Sequence, residues 1–171
     1  MYSSNILVVV VIYIFKISQG IPNAFNEIYQ NYKACQREIC IDIIIIFIAE
    51  INQLIHINLK LATMLMAYEY LLLKYLISKG LARDKIGDNI QKKLNKVNSY
   101  LRFIPSEMMK DTLRESIRNP LFHQGEIPDF NIYEKIDIFN KYYDLLIKIT
   151  LKILGYTGKY VSILTHEPTD T

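Results

Sequence analysis

In the last third of the chain, positions Ile132, Ile136, Phe139, Tyr143, Leu146, Thr150 and Ile153 are spaced 4, 3, 4, 3, 4 and 3 residues apart. That alternation is the seam of a helix packed against other helices. Asn131 with Glu134 three residues on predicts a capping box at its start, and Gly155 predicts its end. Upstream, Ile86, Ile90, Leu94, Val97, Leu101 and Ile104 form a single stripe and predict a helix over 84–103, stopped by Pro105. Lys92, Lys93, Lys96 and Arg102 lie off that stripe and are expected to face water. Leu61, Leu65, Tyr68, Leu72, Tyr75 and Leu76 mark the inner face of a helix over 57–78, ended by Lys79–Gly80. Residues 23–54 contain no proline or glycine and read as one long helix, with Asn23 as its cap and Glu27 in its first turn. The run "IDIIIIFIAE" (41–50) within it suits a central helix buried on most sides. Ser106 is placed to cap a short helix that ends at Asn119, because Pro120 disfavours helical backbone in the residue before it.

These elements predict an all-α protein, a compact bundle of four to five helices with short connections. Its 171 residues suffice for one domain with a real core. The expected organisation is an apolar N-terminal segment (1–22), the bundle (23–156) and a polar tail (157–171), loose from Thr165. The apolar run "ILVVVVIYIF" (6–15) is shorter than the roughly 20 residues a membrane span needs. Ser18 and Gly20 offer a small-residue cleavage site, but "MYSSN" before the run has no Lys or Arg, so a buried strand or helix competes with a signal segment. A cytoplasmic protein with no membrane association is the expectation. Cys35 and Cys40 lie five apart and are expected to be a buried, reduced pair. There is no CxxC motif and no Cys/His or carboxylate cluster, so neither a metal nor another cofactor is expected.

The net charge is +3, but residues 72–118 hold eleven Lys/Arg against five Asp/Glu, a local excess of 6. A basic middle suits a phosphate-bearing partner, with Lys92, Lys93, Lys96, Arg102 and Arg114 as RNA-binding candidates. An ordinary solvated helix face would also carry such charges.

The densest group of catalytic-type side chains is "RNPLFHQGE" (118–126). A five-residue offset on a straight helix turns His123 about 140° from Arg118. A bend at Pro120 could bring the two together, and Gly125 permits a left-handed turn after them. RNA carries its own nucleophile, the ribose 2′-hydroxyl. A histidine can move the proton, and an arginine fork can hold the phosphate oxygens. Asparagine can orient either partner. Arg118, Asn119 and His123 are therefore the candidate catalytic residues of a metal-independent endoribonuclease.

Arg118-x4-His123, with Asn119 directly after the arginine, resembles the R-x(4–6)-H motif of HEPN domains. It is most similar in flavour to the C-terminal HEPN domains of ApeA-type phage-defence proteins. The resemblance covers roughly residues 23–156. It implies Arg118 and His123 as the catalytic pair, Asn119 as an accessory, and a homodimer whose two motifs share one cleft. A toxin or phage-defence effector would fit, although only about 22 residues stand where ApeA-type proteins carry a large N-terminal domain.

Other readings stand beside this one. The domain could bind RNA or a nucleotide without catalysis, or the N-terminal run could make it a secreted or membrane-associated helical protein. Arg118 could simply pair with a carboxylate while His123 caps helix carbonyls. Glu69 and Glu50 are the mid-helix carboxylates available to Arg118 or to another buried cation. His56 reads as a core or junction residue. Tyr142 and Tyr143 could stack on bases, although the seam position of Tyr143 favours core packing.

Overall fold

Residues 57–78 carry apolar side chains on most sides, so the helix they form must be enclosed by others. In the computed structural model, which describes residues 21–109 and 113–170, this helix (α3, Ile57–Ser78) is the axis of an all-α bundle. The described residues form seven helices: α1 (Ile21–Ile39), α2 (Ile41–Gln53), α3, α4 (Arg83–Ile86), α5 (Ile90–Leu101), α6 (Asn119–Gln124) and α7 (Ile132–Ile153). Five of them have twelve residues or more. Each of the other six packs against α3. A small antiparallel hairpin, β1 (Lys159–Val161) with β2 (Pro168–Asp170), follows α7. The apolar run 6–15 lies outside the described residues.

α3 begins and ends where its pattern predicts. Leu61, Leu65, Tyr68, Leu72, Tyr75 and Leu76 are all buried, and the Gly80 and Leu81 N–H groups close its end on the Ile77 and Leu76 carbonyls. By length and composition α3 could cross a membrane, and more than half of its most apolar stretch is buried inside the bundle. Its central anchor is Tyr68. That fully buried hydroxyl donates to the Tyr142 carbonyl at 2.5 Å, and the two rings meet edge to face 6.4 Å apart. The predicted seam of α7 packs from Phe139 onward, where Phe139 stacks on Tyr143 and the Tyr143 hydroxyl donates to Asn52. Tyr142 is buried as well. The capping box of Asn131 and Glu134 is formed.

Several expectations are corrected. The helix expected over 23–54 is two helices that part at Cys40, whose φ is +52°. Asp42 in the first turn of α2 accepts from Tyr32 at 2.6 Å and Gln36 at 2.8 Å, which staples the corner near the positive end of α2. The corner leaves Cys40 exposed and Cys35 half-buried, so the cysteines are free but are not a buried pair. Nor does α1 start at Asn23, since it is already helical at Ile21. α2 buries Ile41, Ile44, Ile45, Ile48 and Ile51 but exposes Ile43 and Ile46, so one side of it faces out.

The helix expected over 84–103 is also broken. Gly87 takes φ +93°, and Asn89 starts α5 afresh by accepting from the Lys92 N–H at 2.7 Å. The stripe survives the break, with Ile86, Ile90, Leu94, Val97 and Ile104 all buried. α5 stops at Leu101, before Pro105, because Arg102 adopts φ +57° and Asn98 accepts from the Ile104 N–H. Downstream, the first turns of α7 leave Ile132 and Ile136 exposed, so the apolar repeat outruns the packed surface. The tail expected to be loose from Thr165 pairs as β2. It is fastened to α7 through Asp144, which accepts from the Tyr160 hydroxyl and the Ile163 N–H.

Tyr68→Phe keeps the ring contact and deletes the buried donor. A loss of about 1–2 kcal/mol is expected, against about 2–5 kcal/mol for the cavity left by Leu65→Ala. Urea denaturation followed by circular dichroism measures both.

Candidate functional site

The segment that carries the motif is helical on both sides of the proline. Residues Arg114–Arg118 form one wide turn with i→i+5 geometry, and α6 continues from Asn119. The expected stop at Asn119 is therefore corrected. The widened turn lies just upstream of Pro120, where a tighter helix would drive the ring into the Ser116 carbonyl. Leu113, Ile117 and Leu121 are buried and hold this segment against the bundle. Gly125 ends α6 at φ +79°, and its carbonyl accepts from Asn58 of α3 at 3.5 Å.

Arg118 is half-buried. Its Nε donates to Glu69 of α3 at 2.6 Å, and its guanidinium lies 5.4 Å from the centre of the exposed Phe122 ring. Glu69 is the carboxylate that takes Arg118, whereas Glu50 is exposed. The bond uses the Nε edge, so among the described residues the terminal guanidinium nitrogens have no hydrogen-bond partner. His123 is exposed near the end of α6, and Asn119 is half-exposed at its start. No hydrogen bond joins Arg118 to His123. Among the described residues, no three His, Cys, Asp or Glu side chains are grouped to hold a metal ion.

The basic candidates divide. Lys93 is corrected from water-facing to buried, with 7% of its surface exposed. It lies three residues beyond Ile90 and so borders the stripe, where its alkyl stem can pack. Burial pulls its ammonium below the ordinary lysine range. Glu69 opposes that shift and Arg118 reinforces it, with smaller effects from Asp88 and Arg83. Lys92 is exposed and pairs with Asp88 at 3.4 Å. Lys96 is half-buried and donates to the Lys85 carbonyl, while Arg102 is exposed. The side chain of Arg114 lies outside the described residues. His56 is an exposed junction residue between α2 and α3.

Phe122 was not among the candidates read from the sequence. Its i+4 spacing from Arg118 was the available signal, since that offset places an aromatic ring beside a cation on one helix face. Compared with known protein families, curated proteins and solved structures, the chain matches none.

The lowered pKa of Lys93 has a stability consequence with a definite sign. Below its folded-state pKa the lysine is charged in both states and the burial cost is present in full. As pH rises from there toward the ordinary value of about 10.4, the folded state releases its proton before the unfolded state does. Wild type is therefore expected to gain stability relative to Lys93→Met over that alkaline window. Urea denaturation at stepped pH checks this.

Proposed function

We propose that the chain is a metal-independent endoribonuclease of HEPN type, cleaving RNA by attack of the ribose 2′-hydroxyl on the adjacent phosphate. One observation carries the reading. A half-exposed arginine whose terminal donors are uncommitted among the described residues and an exposed histidine sit at opposite ends of the six-residue helix α6, on the outside of the bundle.

In this mechanism Arg118 grips the phosphate through its terminal nitrogens and stabilises the charge that accumulates there. Glu69 fixes the guanidinium from the Nε side. His123 exchanges the proton with the 2′-hydroxyl or with the leaving 5′-oxygen, and Asn119 orients the phosphate or the ring. One protomer offers one such histidine, so the second acid–base group comes from a homodimer. Phe122, Ile132, Tyr133 and Ile136 are exposed on α6 and the first turns of α7, and they give a dimer apolar surface to bury. Lys92, Lys96, Arg102 and Arg114 are assigned to the strand beyond the site. A cytoplasmic toxin or phage-defence role belongs to the same proposal.

The Glu69–Arg118 ion pair favours a second reading, a module that binds RNA or a nucleotide without cleaving it, because part of the guanidinium is already engaged. The two separate in one experiment. Total RNA incubated with wild type in EDTA is expected to be cut to fragments ending in cyclic phosphate. His123→Ala is expected to slow cutting at least about a hundredfold, the usual scale of acid–base catalysis. Intact RNA with both proteins, alongside salt-dependent binding, favours the binding module.

A further inference from the structure

A basin of about 500 Å3 opens beside the site, lined by Leu73 of α3, Arg83 and Asp84 of α4, and Gly87, Asp88 and Lys93. Leu73 is one helical turn along α3 from Glu69, so the basin adjoins the Glu69–Arg118 pair. Its volume lies within the roughly 300–1,000 Å3 usual for small-ligand sites.

Lys93 is the feature that calls for an occupant. It is only 7% exposed, yet among the described residues its side chain makes no hydrogen bond and no ion pair. Its stem is covered while its ammonium, with three donors, reaches the edge of the basin, where an acceptor can meet it. The carboxylates nearest in effect are already engaged, Glu69 by Arg118 at 2.6 Å and Asp88 by Lys92 at 3.4 Å. A molecule in the basin would meet the lysine directly. Arg83, exposed on the same basin, adds a planar fork suited to phosphate oxygens. Asp84 and Asp88 would repel a bare anion, but as acceptors they suit hydroxyl donors. Cations for a phosphate beside carboxylates for hydroxyls match a ribonucleotide.

We infer that the basin holds one ribonucleotide unit, with its phosphate on Lys93 and Arg83 and its sugar hydroxyls on Asp84 or Asp88. This deepens the ribonuclease reading and rests on it for the role: the basin is the berth for a nucleotide neighbouring the one whose phosphate Arg118 grips.

Isothermal titration of the full chain at fixed ionic strength tests this, with AMP, its 2′-deoxy counterpart, inorganic phosphate and a short oligoribonucleotide as probes. AMP is expected to bind more tightly than deoxy-AMP or phosphate, and the oligoribonucleotide more tightly than AMP. Lys93→Met and the surface variant Arg83→Met are each expected to weaken AMP binding about tenfold or more, the scale of a lost charge-assisted hydrogen bond. His123→Ala is expected to bind AMP as wild type does, which keeps nucleotide capture separate from cleavage. If wild type binds AMP through Lys93 but never cuts RNA, the nuclease reading falls and the basin stands as a site for free nucleotide. If AMP does not bind, or binds equally to wild type and to both folded variants, the basin assignment is overturned whether or not RNA is cut.

Discussion

The burial of most of the apolar surface of α3 is the constraint on which the rest of the bundle depends. One helix with apolar residues around most of its circumference cannot be covered by a single neighbour, and here six helices share the task. Each fully buried leucine or isoleucine contributes about 1.5–3 kcal/mol relative to exposure. The same burial limits what polar groups α3 can carry. Tyr68 is admitted because its hydroxyl finds the Tyr142 carbonyl, and Glu69, its neighbour in sequence, is admitted at the bundle's edge because it finds Arg118. The site is therefore anchored to the helix against which the six others pack.

Periodicity made the long elements legible, and local chemistry set their ends. α3, the packed part of α7, and the apolar stripe from Ile86 to Ile104 follow directly from spacing, because a buried face must repeat with the helix. The breaks at Cys40 and Gly87 left the apolar pattern uninterrupted and so were hidden in it. Cys40 has no intrinsic preference for its left-handed backbone. The corner is held by Tyr32 and Gln36 reaching Asp42, contacts across it that exist only once the chain has turned. Gly87 and Asn89 did carry the usual signals of a stop and a cap, but the stripe ran through them. The hairpin at 159–170 was illegible for a different reason. Its anchor is Asp144 on α7, and a polar tail does not announce which carboxylate will hold it.

The candidate site was partly legible. Arg118, Asn119 and His123 were evident as chemical types, and Glu69 as one of two carboxylates open to Arg118. The placement of Lys93 was not evident, because a lysine three residues from a buried isoleucine can lie on either side of the stripe's edge. Its burial alters the character of the region from an open basic face to a compact set of alternating charges: Arg83, Lys93 and Arg118 among Glu69 and Asp88. Such an arrangement discriminates by geometry more than by attraction, since its charges nearly cancel at a distance and act only at close range.

The wide turn at Arg114–Arg118 has a consequence for how this segment tolerates change in length. It accommodates a residue that a regular helix would not. Losing one residue there would tighten the turn to regular helix and leave Asn119 onward on nearly the same face, whereas the same loss in a regular helix would swing it by about 100°. The azimuth of the imidazole is thus buffered against a one-residue loss upstream of the proline, a tolerance that a regular coil lacks.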